Sequence, residues 1–263
     1  MFKILFLLIL PLLVFSKYQI TTYMPLEGYL IKKIAQSYVR SKVIVPTYSN
    51  KKLDLSHSEI SRLANTKAYF HFGLDIEKEY ISLLLEANPE LKIFDLSNGI
   101  NKISYNGKIN HYVWMDPILL RNVAKNIFDA IVSLDSVNKG FYLNNYNALL
   151  DELDKIYLNT KVKLDKSEIY NIFVFDEYWT YYAKRFGINL YRKNKQIIKA
   201  DEVTPLLKFV DKNEIRAVLV ANDNTFSYAK SISGNADIVI KSNDIFDDFL
   251  FNNFINLTKE LEK

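Results

Sequence analysis

The side chains in this chain best able to do chemistry are one imidazole, one phenol and two carboxylates that lie far apart in the sequence. His111 and Tyr112 are neighbours, Asp176 follows one apolar run, and Asp244 follows a later one. Imidazole and carboxylate groups are common ligands of divalent zinc, and a tyrosine phenolate offers a harder oxygen that suits ferric iron. These residue types predict a metal site if the fold brings the four together.

The other two of the three histidines have simpler interpretations. His57 lies within a capping sequence that runs from Ser56 to Glu59, so we expect it at a solvated helix start. His71 lies between two phenylalanines, so we expect a core or strand-end position. The chain has no cysteine, which excludes disulfides, thiol catalysis and thiolate metal sites together.

Several classes of function lack their sequence signatures. There is no glycine-rich phosphate loop, no Ser-His-Asp order and no paired-carboxylate pattern, so we expect a protein that is not an enzyme. The formal net charge is only +4 and the charges are scattered, which predicts no nucleic-acid partner. Four aromatic residues crowd one short segment: Tyr178, Trp179, Tyr181 and Tyr182. They favour packing in the core or between lobes, and the alternative is the lining of an organic-ligand pocket.

The amino terminus has the pattern of a secretory signal. Lys3 supplies a positive charge, the run from Ile4 to Phe15 is apolar, and Ser16 is a small residue at the cleavage position. The apolar run is shorter than the roughly 20 residues that span a membrane. We therefore expect cleavage after Ser16 and a monomer in the periplasm, without the cysteine that a lipid anchor requires.

The elements that must position the candidate ligands alternate between strands and helices. Strands are predicted at Tyr18–Tyr23, Lys42–Val45, Ala68–Phe72, Lys92–Leu96, Ile169–Phe175, Ile188–Tyr191, Ile215–Ala221 and Ala236–Ile240. Helices are predicted at Glu27–Val39, from Ser56 onward, and at Glu77–Ala87, Pro117–Leu134, Asp176–Phe186, Asp201–Lys212, Thr225–Ser233 and Phe246–Leu261. Continuous apolar strands of this kind indicate parallel sheets covered on both faces.

One segment departs from this alternation. From Val137 to Val162 the apolar residues recur at helical spacing and no turn residue interrupts them, which predicts a single helix roughly 38 Å long. The alternative is a pair of antiparallel helices. The predicted fold is α/β, with two β/α lobes of parallel strands joined by one long spanning helix. The predicted boundaries are a signal at 1–16, a first lobe at 17–136, the linking helix at 137–164 and a second lobe at 165–263.

This architecture predicts where the candidate ligands meet. Open α/β sheets bind ligands beyond the carboxyl ends of their strands, so the loops after the strands of both lobes should converge on one cleft. Asp176 is the clearest anion delivered there, and His111 is the only nearby imidazole.

The sequence resembles the periplasmic zinc- and manganese-binding proteins of metal ABC importers, known as the cluster A-I solute-binding family. The resemblance rests on short segments in a shared order, in particular His111 to Pro117, Ser58 to Leu63, Phe72 to Glu77, and Tyr181-Tyr182-Ala183-Lys184-Arg185-Phe186-Gly187. It implies a bilobed fold, a divalent metal ion (zinc or manganese) as transported ligand, and an ABC permease in the inner membrane as partner.

The same resemblance assigns the metal-ligand positions. The family's first three ligands align with Lys51, Tyr112 and Asp176, and its fourth aligns with Ser242, two residues before Asp244. His111 lies one residue before the aligned histidine position. A lysine at the first position would repel a metal ion. Two functions therefore stay open: a metal-binding importer component, or a relative without metal binding that acts as an interaction module or takes a small organic or metal-complex ligand.

Overall fold

The computed structural model describes residues 18–46, 53–105, 107–167, 169–192, 200–221, 229–230, 232–234, 238–246 and 249–262. The predicted signal at 1–16, Lys51, and most of the predicted helix at Thr225–Ser233 lie outside these described residues.

The first lobe is built on a four-stranded parallel sheet in the order β2-β1-β3-β4. The strands are β1 (Tyr18–Thr22), β2 (Val39–Val43), β3 (Ala68–His71) and β4 (Lys92–Asp95). Ile20 and Phe70 are fully buried at the centre of this sheet. Apolar residues on both faces of the central strands explain why helices cover the sheet on both sides.

The second lobe repeats this plan with a parallel sheet in the order β10-β9-β7-β8. Its strands are β7 (Asn171–Val174), β8 (Asn189–Arg192), β9 (Ala217–Val220) and β10 (Val239–Ser242). All four residues of β9 are buried. Between the two sheets in sequence lies a short antiparallel hairpin of β5 (Ser104–Tyr105) and β6 (Lys108–Ile109).

Eight α-helices have bounds within the described parts of the chain, and residues 229–230 and 232–233 are also helical. The eight are α1 (Pro25–Ala35), α2 (His57–Ala64), α3 (Glu77–Ala87), α4 (Leu119–Leu134), α5 (Lys139–Leu164), α6 (Thr180–Phe186), α7 (Ala200–Lys212) and α8 (Leu250–Glu262). The capping sequence before α2 is formed, since the Ser56 hydroxyl accepts from the Glu59 amide and the Glu59 carboxylate accepts from the Ser56 amide. None of the helices in the described residues is long and apolar enough to cross a membrane.

Several predicted helices are shorter than expected. The helix predicted to reach Val39 ends at Ala35, because Gln36 takes a positive φ of 48° and Val39 already begins β2. The helix predicted to begin at Asp176 is α6, which begins at Thr180. Before it, Glu177 closes a turn in which its carbonyl accepts from the Thr180 amide and hydroxyl. Asp176 therefore lies in the loop after β7 and not at a helix start.

Helix α5 is a single helix of 26 residues that contacts helices of both lobes, which confirms the predicted spanning helix. On the first-lobe side it forms an ion pair with α1 (Lys33 Nζ to Glu152 Oε2, 2.9 Å). On the second-lobe side it forms one with α8 (Lys163 Nζ to Glu262 Oε2, 2.9 Å). Leu149 is buried near its middle. The fold class predicted from sequence, two β/α lobes joined by one long helix, is therefore observed.

Candidate ligand cleft

Hydrogen bonds join the two lobes along the carboxyl ends of their strands. The Trp114 indole N–H donates to the backbone carbonyl of Ile245 at 3.0 Å. The side-chain amide of Asn110 donates to the backbone carbonyl of Glu177 at 2.8 Å. The Tyr181 hydroxyl donates to the Asn110 carbonyl and accepts from the backbone amide of Ile103, both at 2.8 Å. The loop before α4 is thereby fixed against the loop after β7.

Asp116, which precedes Pro117 at the end of the segment from His111 to Pro117, also connects the lobes. The Asp116 carboxylate accepts from the Arg185 Nε at 2.8 Å and from the Ile118 amide at 2.8 Å. The Asp116 side chain is only 5% exposed. Because the Asp116 carboxylate is buried, loss of the Arg185 charge would leave it unpaired in the interior and would destabilise the folded protein. Asp116 thus links the start of α4 to α6 of the other lobe.

A group of four aromatic rings fills the centre of the cleft: Tyr112, Trp114, Tyr178 and Phe246, here called the interlobe aromatic cluster. The Tyr112 ring centroid lies 4.8 Å from that of Tyr178 and 5.3 Å from that of Trp114, both edge-on. Phe246 lies 5.5 Å from Tyr178. The aromatic residues of the segment from Tyr178 to Tyr182 are all buried, as expected for interface and core packing.

His111 is half-buried beside a cavity of about 330 Å³, which is lined by residues that include Asp75, Tyr112 and Glu177. Its Nδ1 atom lies 3.4 Å from the Lys102 Nζ. Burial and the Lys102 charge lower the pKa of His111 below the usual histidine value. Both effects favour the neutral imidazole, and a cation of the protein itself already contacts its Nδ1 atom.

Asp176 lines a second, larger cavity of about 620 Å³ between the β5–β6 hairpin and the second sheet. Among the described residues, none forms a hydrogen bond or ion pair with its carboxylate. Burial and the neighbouring Glu177 charge raise the pKa of Asp176. Glu177 itself pairs with Arg192 at 3.4 Å, and the Arg192 guanidinium lies 4.6 Å from the centroid of the Tyr105 ring.

Asp244 is exposed, and its Oδ1 accepts from the backbone amide of Phe246 at 2.9 Å. It lines neither cavity. The structure thus places His111 and Tyr112 at one cavity and Asp176 at the next, with Glu177 lining both. Within the described residues, no three histidine, aspartate or glutamate side chains lie close enough to hold one metal ion.

The other two histidines lie as expected. His57 is exposed as the first residue of α2. His71 ends β3 and stacks on Tyr69 with ring centroids 5.8 Å apart. Sequence reasoning did not identify Lys102 as a neighbour of His111, because no local pattern marks it. It predicted Glu177 beside Asp176 at a helix start, where both carboxylates could cap; the helix begins only at Thr180, and Glu177 lines both cavities.

Two lobes of the same sheet order, joined by one long helix and facing each other across a cleft, define a bilobed solute-binding protein of the metal type. The structure is similar to the zinc-bound crystal structure of a ZnuA deletion mutant, with 21% identity, a TM-score of 0.81, and coverage of 94% of this chain and 97% of that one. It is also similar to the metal-dependent lipoprotein YcdH from Bacillus subtilis (15% identity, TM-score 0.80, 94% and 100% coverage). AdcAII from Streptococcus pneumoniae matches with 18% identity, a TM-score of 0.77, and 94% and 99% coverage.

Sequence comparison places the chain in a family. Residues 20–248 match the profile of ZnuA, the periplasmic component A of zinc-uptake complexes, and the chain belongs to this family. The family is one of solute-binding transport components and not of enzymes. Over 80 residues the chain is 36% identical to the high-affinity zinc uptake system protein ZnuA of Bacillus subtilis. That match spans 29% of this chain and 24% of the relative.

Proposed function

We propose that this protein captures a divalent metal ion, zinc or manganese, in the interlobe cleft and delivers it to an ABC permease of the inner membrane. The observation that carries the proposal is the convergence of His111, Glu177 and Asp176 on two adjacent cavities at the carboxyl ends of the strands. The family match over residues 20–248 supports it. The proposed site of action is the periplasm, after cleavage behind Ser16, with the protein acting as a monomer.

The proposed ligands remain His111, Tyr112, Asp176 and Asp244, and Glu177 joins them because it lines both cavities. In the described structure these groups do not surround one point, so a metal ion requires rearrangement of the side chains. The proposed lobe boundaries, 17–136 and 165–263 with a linking helix at 137–164, put His111 and Asp176 on opposite lobes. A shared ligand would then couple metal binding to lobe closure.

Calorimetry of metal-stripped protein with zinc and with manganese tests this function. We expect binding that weakens at least about tenfold in His111→Ala and in Asp176→Ala, because each removes a ligand. His57→Ala is the matched control, since it removes an exposed imidazole that lines neither cavity. Tight zinc binding that survives both cleft substitutions would mean that the site is elsewhere, and an absence of binding would reject metal capture.

One observation favours a second candidate, the binding of a small organic or metal-complex ligand. A volume of about 620 Å³ is far larger than a bare ion needs and falls in the range of small-molecule pockets. Its wall combines apolar residues with the Asp176 carboxylate and the Arg192 guanidinium. If free zinc gives no heat but a zinc–histidine complex does, and Asp176→Asn abolishes that heat, this second function replaces the first.

A further inference from the structure

Lys102 lies in the segment between β4 and β5, and its ammonium contacts the loop after β3 and the His111 ring. Its Nζ donates to the Phe72 carbonyl at 3.2 Å and lies 3.4 Å from the His111 Nδ1. A Cβ atom at Gly73 would lie 3.3 Å from this Nζ and 3.7 Å from the His111 Nδ1. The ammonium is therefore held closely between backbone and imidazole, and is not a loose surface charge.

This contact fixes which nitrogen of His111 carries the proton. An ammonium group has only donors, so the His111 Nδ1 must accept. A neutral imidazole has one N–H, which then lies on Nε2. A metal ion needs a nitrogen lone pair, and in this arrangement one nitrogen is occupied by Lys102 and the other by its proton.

The electrostatics act in the same direction. A positive charge a few ångströms from the imidazole opposes the approach of a divalent cation, and partial burial reduces the screening of that repulsion. Asp75 and Asp95 lie near enough to offset part of this charge, and Lys78 adds to it. The electrostatic potential at His111 is thus set by these four charged residues, of which Lys102 contacts the imidazole directly.

We propose that Lys102 is a tethered cation that engages the Nδ1 lone pair of His111 and must be displaced before a divalent ion binds this imidazole. Lys102 thereby sets the affinity of the cleft and keeps it weak for ions that cannot displace an ammonium. This inference rests on the proposed metal-binding function, and it gives this chain an affinity-determining residue outside the predicted ligand set.

Zinc calorimetry on metal-stripped Lys102→Met tests the inference, because methionine keeps much of the side-chain length and removes the charge. We expect zinc to bind at least about tenfold more tightly than to the unaltered protein, since one repulsive charge is gone. The double variant Lys102→Met/His111→Ala should lose this gain. Lys92→Met is the matched control, because it removes an exposed lysine at the amino end of β4, and it should change the affinity less than about twofold.

The outcomes separate the inference from the function on which it rests. If the unaltered protein binds no zinc but Lys102→Met binds it through His111, the tethered-cation inference holds and the proposed function fails. If both bind zinc equally, the inference is wrong and the function survives. Binding by neither rejects both. Nitrogen NMR of labelled histidine gives a metal-free check: His111 should carry its proton on Nε2, and a proton on Nδ1 overturns the inference.

Discussion

The two lobes have the same strand topology but use the acidic residues after their first strands in opposite ways. In both, the lobe's first strand lies between its second and third. After β1, the buried Glu27 accepts from the Met24 amide at 2.9 Å and caps α1. After β7, Asp176 lines the large cavity and accepts no hydrogen bond from the residues that the structure describes. One architecture therefore hosts a capping carboxylate in the first lobe and a cavity-lining carboxylate in the second.

The first lobe repeats its arrangement after β3. Glu77 is fully buried, and its Oε2 accepts from the Leu74 amide at 2.6 Å. Burial raises the pKa of Glu77 to about 8, and burial together with the nearby Glu77 charge raises that of Glu27 well above the usual range. Burial in the first lobe therefore favours the protonated form of these carboxyl groups, whereas Asp176 of the second lobe lines a cavity. Of these acidic residues, only Asp176 of the second lobe lines one of the two cavities of the cleft.

The largest expected effect comes from breaking the element that both lobes share. Leu149→Pro should destabilise the protein by well over about 3 kcal/mol, because proline removes a helical hydrogen bond, clashes with the preceding turn and also removes a buried leucine from α5. Leu149→Ala, which loses the packing alone, should cost less. Chemical denaturation measures both, and an unchanged midpoint for Leu149→Pro would contradict the role of α5.

The buried glutamates predict a pH dependence that belongs to the first lobe. The pKa of Glu77 rises from the usual 4.5 to about 8 in the folded protein. Its stabilising effect is therefore complete below pH 4.5 and is lost as the pH rises through about 8. Within that window, stability should fall by about 1.4 kcal/mol per pH unit for this group.

Glu77→Gln should flatten this pH dependence, since the amide oxygen can still accept from Leu74 but does not titrate. Urea denaturation at several pH values measures the slope. Glu90→Gln is the control, because Glu90 is exposed and its loss should leave the slope as it is. Equal slopes in Glu77→Gln and the unaltered protein would count against a buried, proton-bearing Glu77.

The contact that joins the lobes should have an intermediate effect. Arg185→Gln leaves the Asp116 carboxylate, which is 5% exposed, without its charged partner, and should cost about 2 kcal/mol. Arg121→Gln is the matched control, because its partner Asp154 is 49% exposed, and it should cost less than about 1 kcal/mol. Thermal denaturation compares the two. Equal costs would show that the interlobe pair has no special role.

The sequence predicts the fold better than the site, because helices and strands follow from local residue patterns, whereas the contacts of the site depend on tertiary structure. Periodicity runs through α3 and α5, so the predicted α3 has its observed bounds and α5 is one helix. The β5–β6 hairpin was missed although Asn106-Gly107 is a strong two-residue turn signal, and Gly107 has the positive φ of 76° that such a turn requires. Lys102 reaches His111 only through tertiary structure, and no spacing in the sequence indicates such a contact.

The smallest predicted effect is a change in stability on replacing Asp176, and it tests the contrast between the lobes directly. Asp176 is a partly buried carboxylate whose pKa is raised and for which the described residues provide no hydrogen bond or ion pair. At pH 7 its charge is therefore a cost to the folded protein, and Asp176→Asn should raise the free energy of unfolding by about 0.5–1 kcal/mol. The corresponding rise in melting temperature is about 1–4 °C for a chain of this size. Asp211→Asn, at an exposed position on α7, should leave the melting temperature within about 1 °C of the unaltered protein.

Because the gain in stability of Asp176→Asn comes from removing an ionised group, it should shrink as the pH is lowered and Asp176 itself becomes protonated. A loss of stability in Asp176→Asn would instead mean that this carboxylate has a structural partner, and that the second lobe uses its acidic residue as the first lobe does.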